Sequence, residues 1–442
     1  TEMAEVARAE IVSQSIVKPS SPTPSHLQHV KVSLLDQLAP PFYVPIVLFY
    51  SPTDHDFTII SDKLKASLSQ VLTLYYPFCG RFKGNQSHAY VDCNFIDEGV
   101  LYLEARTSLT LSHFLQTNNH NPQPNQIKVF LPLDPYSPKA ENEEEYPFIM
   151  QVQVTEFSCS SVGIGVCISH KVCDGATIAS FLQAWSAKAE AGGNDVSDSP
   201  PNMDAPLLFP AREIEINTAS GMIGDKNIST GRFLFRGKSL CELTEKLVSG
   251  GCNSKPTRVE AVTALIWKSA MEVEGGAHQS MVSHAVNIRR RMAPPLPENS
   301  IGNVWQQAVS PLVGREVELQ DLADMVRKTI KRMDGEYVRK LKGGGVVEVV
   351  KSLKQVMCLV REKGVPCYSF SSWTRFGFYE ANFGWGKPTW VCTIGVPIKN
   401  VIILMPTRHG DGSIEAWVTL DELHMPQFQH CSRILQFASF DL

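Results

Sequence analysis

Two neighbouring apolar runs constrain the fold more than anything else in this chain. From Met150 to Phe157 apolar residues alternate with Gln151, Gln153 and Thr155, the period of a half-buried strand. From Val162 to Ile168 the run is almost continuously apolar, as in a strand buried on both faces. Ser158 to Ser161 supplies a turn, so the two runs predict an antiparallel pair. Beyond Gly175, the residues Ile178, Phe181, Leu182 and Trp185 recur at the spacing of one helix face. Strand, turn, strand and helix thus follow one another, and His170 and Asp174 stand at the last junction.

That placement points to chemistry. Histidine is the one side chain whose unperturbed pKa lies near neutrality, so it can take and return a proton at cell pH. At the end of a buried strand it is also held rigidly, as a catalytic base must be. Asp174 has two readings at this stage: it orients the imidazole, or it caps the helix that opens at Gly175. No second histidine stands at metal-ligand spacing, and no metal is expected. Cys167 and Cys173 flank the histidine and are read as packing residues.

At 442 residues the chain predicts roughly two to three domain-sized units. A net charge of −4 gives no electrostatic case for nucleic acid or an anionic membrane, and neither is expected as a partner. No apolar stretch approaches the ~20 residues that span a bilayer. The eleven cysteines are scattered without a Cys-x-x-Cys pair, which points to free thiols in a reducing compartment. Thr1 to Glu5 lacks the basic-then-apolar order of a signal peptide, and the expected location is the cytoplasm.

Lys63 to Leu74 reads as a helix with Leu64, Leu68, Val71 and Leu72 inward, broken by Pro77 and Gly80. Thr117 to Gln126, Lys139 to Tyr146 and Gly192 to Pro210 read as surface loops, the last as a crossover between domains. After it a strand-like run from Arg232 to Phe235 and a helical pattern from Arg258 to Ala270 begin a second domain. The natural reading is a two-domain α/β chain with mixed sheets, divided near residues 200–225. A second conspicuous stretch, Phe378 to Pro388, alternates glycines with aromatics and suits close backbone packing.

Together the two stretches carry a resemblance. His170-Lys171-Val172-Cys173-Asp174-Gly175 resembles the H-x-x-x-D-G motif of the plant BAHD acyltransferases, and Asn382-Phe383-Gly384-Trp385-Gly386 resembles their D-F-G-W-G signature. Ser33 to Asp36, Tyr76 to Arg81 and Asn287 to Met292 are lesser matches, and the resemblance covers essentially the whole chain. The run of motifs is most similar to the alkaloid and alcohol acetyltransferase branch. The resemblance implies two similar chloramphenicol-acetyltransferase-like domains with a channel at their interface. By it, residues 1–200 form the N-terminal domain, completed by a segment near 376–401. Residues 201–225 are the crossover loop, and 226–375 with 402–442 form the C-terminal domain. A monomer is implied as well.

The implied activity is acyl transfer from coenzyme A to a hydroxyl, with acetyl-CoA as the leading co-substrate and no bound cofactor. The acceptor is a small alcohol of plant specialised metabolism, such as an alkaloid. Aromatic or hydroxycinnamoyl donors and amine acceptors are the alternatives within the family, with a non-catalytic CoA-binding protein or an esterase further off. His170 is the expected general base. By the resemblance Asp174 is structural and pairs with an arginine of the second domain, Arg289, with Arg291 as the near alternative. Gly175 and the Asn382 to Gly386 motif are also expected to be structural. Asn382 departs from the family's aspartate; it keeps the shape and loses the charge, so turnover is expected to survive. Thr257 and Arg258, at a helix start, are the candidates for meeting the phosphates of CoA.

Overall fold

The computed structural model describes residues 8–84, 89–94, 99–120, 122–137, 148–192, 200–213, 227–275 and 279–440. The chain divides into two compact units. The first comprises Thr1–Gly221, Pro297–Val304 and Phe376–Ile394; the second comprises Met222–Leu296, Trp305–Arg375 and Gly395–Leu442.

The first unit is built on a six-stranded mixed sheet. Its strands are β1 (Glu10–Val17), β2 (Tyr43–Tyr50), β3 (Val100–Thr107), β4 (Met150–Phe157), β5 (Val162–Ser169) and β6 (Trp390–Cys392). The order across the sheet is β1-β3-β4-β5-β2-β6; only β3 and β4 run parallel. β4 and β5 form the expected hairpin, with Met150 opposite Ile168 and Glu156 opposite Val162. Ser160 takes a positive φ of 61° in the turn. β5 lies between β4 and β2, and Val162 to Ile168 are all buried, which is why its run is apolar without alternation. Gly165 is required there: a Cβ would fall 1.9 Å from the carbonyl oxygen of Phe130.

Two helices of this unit, α1 (Phe57–Leu74) and α2 (Gly175–Ala191), pack on each other. The Trp185 indole N–H of α2 donates to Ser67 Oγ (3.1 Å) and to the carbonyl of Leu64 (3.2 Å) on α1. Pro297–Val304 lies within the sequence stretch assigned to the C-terminal domain, yet it belongs to the first unit. Isolated bridges tie Ser300 to Asn202 and Gly302 to Cys173. Phe376–Ile394 supplies β6, with Trp390 opposite Phe49 on β2.

The second unit has its own mixed sheet, in the order Trp305–Val309, Gln279–Asn287, Cys367–Ser372, Val401–Pro406, Ile414–Asp421, Ile228–Phe235 and Ala438–Ser439. Its core joins Phe233, Val282, Phe370, Ile402 and Val418 from the strands to Leu265, Trp267 and Leu322 from the helices Arg258–Glu274 and Leu319–Lys331. The fold is thus mixed α/β with mixed sheets in two domains.

One loop expectation is corrected. A helix spans Leu111–His120 and another Pro124–Lys128, through most of the Thr117 to Gln126 stretch. Pro124 starts the second helix, where its missing N–H costs nothing, and Gln126 Oε1 accepts from the Gln123 amide at 2.8 Å. The Lys139 to Tyr146 stretch lies outside the described residues, as do 193–199 and 214–226, so the expected crossover is described only in part. No helix among the described residues is long and apolar enough to cross a membrane.

Candidate active site

His170 is the first residue beyond β5. Its backbone is fixed from both sides: its amide donates to the carbonyl of Phe42 (2.8 Å), and its own carbonyl accepts from Asn303 Nδ2 (2.6 Å). The second proton of that Asn303 amide goes to Asp36 Oδ1 at 2.9 Å, and the Asn303 backbone N–H reaches the same oxygen at 2.7 Å. Asp36 Oδ2 accepts from the amide (2.8 Å) and the hydroxyl (2.7 Å) of Ser33, which completes a capping box on the short helix Leu34–Leu38. Burial pushes the Asp36 carboxyl up from 3.8, and the hydrogen bonds from Ser33 and Asn303 pull it down again in part. A chain of buried polar groups therefore runs from Ser33 to the backbone of the histidine, within one unit.

Gly302 makes that approach possible. Its φ is +106°, and a Cβ there would stand 3.3 Å from Asp36 Oδ1. On the other side of the histidine, Lys171 Nζ donates to the Gln37 carbonyl at 3.0 Å, and burial brings this ammonium down to about 8.

The imidazole of His170 lies edge-to-face with the Phe42 ring, centroids 5.4 Å apart at 69°. Burial holds its pKa below the ordinary 6.5, with the Asp174 charge and Asn303 acting in the opposite sense and Lys171 in the same one. The ring is thereby kept neutral, the state a base needs. Cys167 and Cys173 are both buried, and burial raises the Cys167 thiol well above its usual value, which leaves no thiolate at neutral pH.

Asp174 occupies the N-cap of α2. Its Oδ1 accepts from the Thr177 amide and hydroxyl, each at 2.9 Å, and its Oδ2 accepts from the Val304 amide at 3.0 Å. One carboxylate thus holds both the start of the helix and the Pro297–Val304 strap. Arg289 belongs to the second unit, where its amide donates to Asn287 Oδ1 at 3.0 Å and the residue is fully buried. Arg291 is committed within that unit: Nη1 donates to the carbonyls of Ile330 and Met333, both at 2.7 Å, at the end of the helix Leu319–Lys331.

The second motif packs against α1, α2 and β2. Asn382 Oδ1 accepts from the amides of Gly384 and Gly386, both at 2.9 Å, and Nδ2 donates to Glu190 Oε1 at 2.6 Å. Gly384 and Gly386 take φ of +102° and +106°, which a side chain rarely adopts. Phe383 is buried edge-on to Trp185 (5.0 Å), Trp385 stacks on Phe383 (5.8 Å), and Lys63 Nζ stands over the Trp385 ring at 5.6 Å.

Thr257 and Arg258 begin the helix Arg258–Glu274 in the second unit. The Thr257 hydroxyl is engaged as the cap, accepting from the Glu260 amide at 3.2 Å, while Glu260 Oε2 accepts from the Thr257 amide at 2.7 Å. Exposed Arg258 lies over Gly412, where a Cβ would fall 1.2 Å from Nη1.

Sequence reasoning missed Asn303, Gly302 and Phe42, and it named Asp36 only as part of a motif. The Ser33-x-x-Asp36 spacing signals a capping box, and Gly302-Asn303 signals a turn. Neither says that the two meet.

Comparison with known proteins places this geometry in a lineage. The model of the Transferase family matches residues 7–434. Stemmadenine O-acetyltransferase of Catharanthus roseus is 36% identical, with 94% of this chain and 95% of that protein covered. Limonoid 1-O-acetyltransferase of Citrus sinensis is also 36% identical, over 97% of this chain and 98% of that protein. The crystal structure of vinorine synthase superposes with a TM-score of 0.81 at 33% identity, covering 98% of this chain and 99% of that one. A histidine fixed at a strand end, its H-x-x-x-D-G setting and a family match along nearly the whole chain lead to one assignment. The chain belongs to the Transferase family as a plant BAHD acyltransferase, an acyl-CoA-dependent O-acyltransferase.

Proposed function

We propose that the protein transfers an acetyl group from acetyl-CoA to a hydroxyl of a plant specialised metabolite, an alkaloid or another polycyclic alcohol, with His170 as the general base. The observation that carries this reading is the fixing of His170 through both its amide and its carbonyl at the end of a buried strand. The names of the relatives, acetyltransferases acting on stemmadenine and on a limonoid, support the donor and the acceptor class.

In this mechanism His170 Nε2 takes the proton of the acceptor hydroxyl as its oxygen attacks the thioester carbonyl carbon. The tetrahedral oxyanion collapses with cleavage of the C–S bond, and the CoA thiolate receives the proton back from His170. Positioned base catalysis supplies ~10²–10⁴-fold, and holding both substrates in line supplies much of the rest. No acyl-enzyme is needed, in keeping with buried, protonated Cys167.

Asp174, on this reading, is structural, holding the start of α2 and the Pro297–Val304 strap. Arg258 meets a phosphate of CoA, for which its exposure speaks, while Thr257 serves as the cap. Replacing Arg258 by alanine then raises the KM for acyl-CoA about tenfold and leaves kcat unchanged. The eleven free thiols agree with a reducing cytoplasm, and the protein acts as a monomer.

The decisive experiment is turnover with acetyl-, benzoyl-, malonyl- and hydroxycinnamoyl-CoA against a panel of alkaloid and terpenoid alcohols, with His170→Ala in parallel. Acetyl ester formation that needs both acceptor and His170 supports the proposal. Preference for an aromatic donor overturns the acetyl assignment. Thioester consumption without an acceptor points to an esterase, and CoA binding without turnover to a binding protein.

A further inference from the structure

β1 ends the sheet of the first unit on one side. It pairs antiparallel with β3, and among the described residues no strand lies against its other edge. Soluble proteins commonly keep such edges apart with a charge or a proline, and Ile11 to Val17 contains neither. The register sorts the side chains of the strand. Ile11, Gln14 and Ile16 stand opposite Ala105, Leu103 and Leu101, which share one face of β3. A one-residue slip between Ile11 and Ser13 leaves Val12 on that face too. All four are exposed, Ile11 to 46%, Val12 to 48% and Ile16 to 40%, so an apolar row borders the open edge. Ser13, Ser15 and Val17, on the other face, are half-buried or buried.

The strand is also its own complement. Outward from Gln14 in both directions come a serine (Ser13, Ser15), then two β-branched apolar residues (Val12 and Ile11, Ile16 and Val17), then a charge (Glu10, Lys18). Two copies laid antiparallel about a two-fold axis at Gln14 therefore set serine against serine and Val12 against Ile16. At both ends exposed Glu10 comes opposite the partner's Lys18, and no like charges are opposed. An ammonium has three donors, so Lys18 can meet this carboxylate and keep a contact within its own chain.

We propose that the open edge of β1 is a self-association surface, and that its occupant is β1 of a second copy in the register that sets Gln14 against the partner's Gln14. The pairing supplies each edge with the backbone partners it lacks. The slip helps rather than hinders, because it brings Ile11 beside Val12 and so offers two apolar side chains to the partner's Ile16. One strand against one strand buries less than the ~1,200 Å² of a standard interface, so the pair is weak and follows concentration. β3 and β4 lie between this edge and β5, which carries His170. Each copy keeps its own catalytic residues, and a single chain remains the acting unit.

The test is sedimentation velocity on the full chain, in reducing buffer at low salt, from about 1 to 200 µM. Wild type is expected to pass from monomer to dimer with a Kd of about 10–100 µM. Gln14→Lys and Gln14→Glu each set like charges against one another at the axis, and each is expected to weaken association about fivefold or more. An equimolar mixture of the two sets lysine against glutamate and is expected to recover the wild-type dimer. Gln14 is exposed, so both variants are expected to keep the wild-type melting temperature and kcat. If either does not fold, Gln14→Arg and Gln14→Asp are read by the same criteria. A wild type that stays monomeric at every concentration overturns the proposal, as does a dimer indifferent to both charges. A mixture that fails to recover also overturns it, because only a residue facing its own copy gives that pattern. The readout is mass, so it stands whatever donor or acceptor the enzyme uses.

Discussion

Asn303 divides its side-chain amide between the carbonyl of His170, at 2.6 Å, and the carboxylate of Asp36, at 2.9 Å. The contact links the residue proposed as base to a buried acid that also caps its own short helix. A shift at Asp36 is thereby passed to the strand end that carries the imidazole.

Replacing Asn303 by alanine leaves a buried carboxylate short of one donor and frees the His170 carbonyl. A buried acceptor without its partner costs ~1–3 kcal/mol, and a displacement near 1 Å at a catalytic group costs ~10²-fold in rate. Asn303→Ala is expected to lower kcat by about one to two orders of magnitude with a modest fall in melting temperature. Steady-state kinetics beside a thermal scan checks this; wild-type kcat in the folded variant removes the positioning role.

Asp174 serves two segments at once, so its loss is a folding matter first. Alanine forfeits the N-cap of α2, worth ~0.5–2 kcal/mol, and leaves the buried Val304 amide without its acceptor. Asparagine keeps one oxygen but presents an N–H to one of the two donors. Both variants are expected to lose stability and activity together, alanine the more. A fully stable, soluble but inactive Asp174→Asn assigns the carboxylate a direct catalytic role instead.

What could be read from the sequence follows from how locally each feature is encoded. β4, β5 and α2 were legible because burial writes a period of two or of 3.6 into consecutive residues. His170 was legible because it ends such a run. The Asp36–Asn303 pair was not: the two lie 267 residues apart, and their meeting depends on a positive-φ glycine inside a short strap. Glu190, 192 residues from Asn382, was hidden for the same reason. The Thr117 to Gln126 stretch misled in the other direction, because proline and asparagine weigh toward a loop although Pro124 opens a helix.

The departure at position 382 is answered by its partner. With Glu190 2.6 Å from Nδ2, the family's aspartate would set one carboxylate against another. Asn382→Asp is expected to lower stability by ~1 kcal/mol or less, because Glu190 is exposed and solvent screens the repulsion. Turnover should stay within about threefold of wild type, since the motif's contacts lie on Tyr50, Lys63, Trp185 and Glu190. The double variant Asn382→Asp/Glu190→Gln restores the melting temperature if the carboxylate contact is the cause. No recovery in the double variant refutes that cause.

A half-buried histidine and a buried one give the protein two separable responses to acid. His170 is held below 6.5 by burial, so the acid limb of kcat/KM is expected below the ordinary histidine value and to vanish as a feature in His170→Ala. His284, in the strand Gln279–Asn287, is brought down to about 4 by burial, opposed by its contact with the Ala285 carbonyl and by the Glu260 charge. Its Nε2 has no hydrogen-bond partner among the described residues. For a group whose folded pKa is depressed, the unfolded chain binds more protons between the two values. Its stability contribution is then complete above about pH 6.5 and is lost as the pH falls toward about 4. Asp36, raised by burial, acts in the opposite sense. His284→Phe, matched to the stacked Phe370 ring, is expected to flatten the decline in stability over that window and leave the acid limb of kcat/KM in place. Denaturant unfolding at stepped pH reads the first effect and initial rates the second. A decline as steep in His284→Phe as in wild type removes His284 as its source.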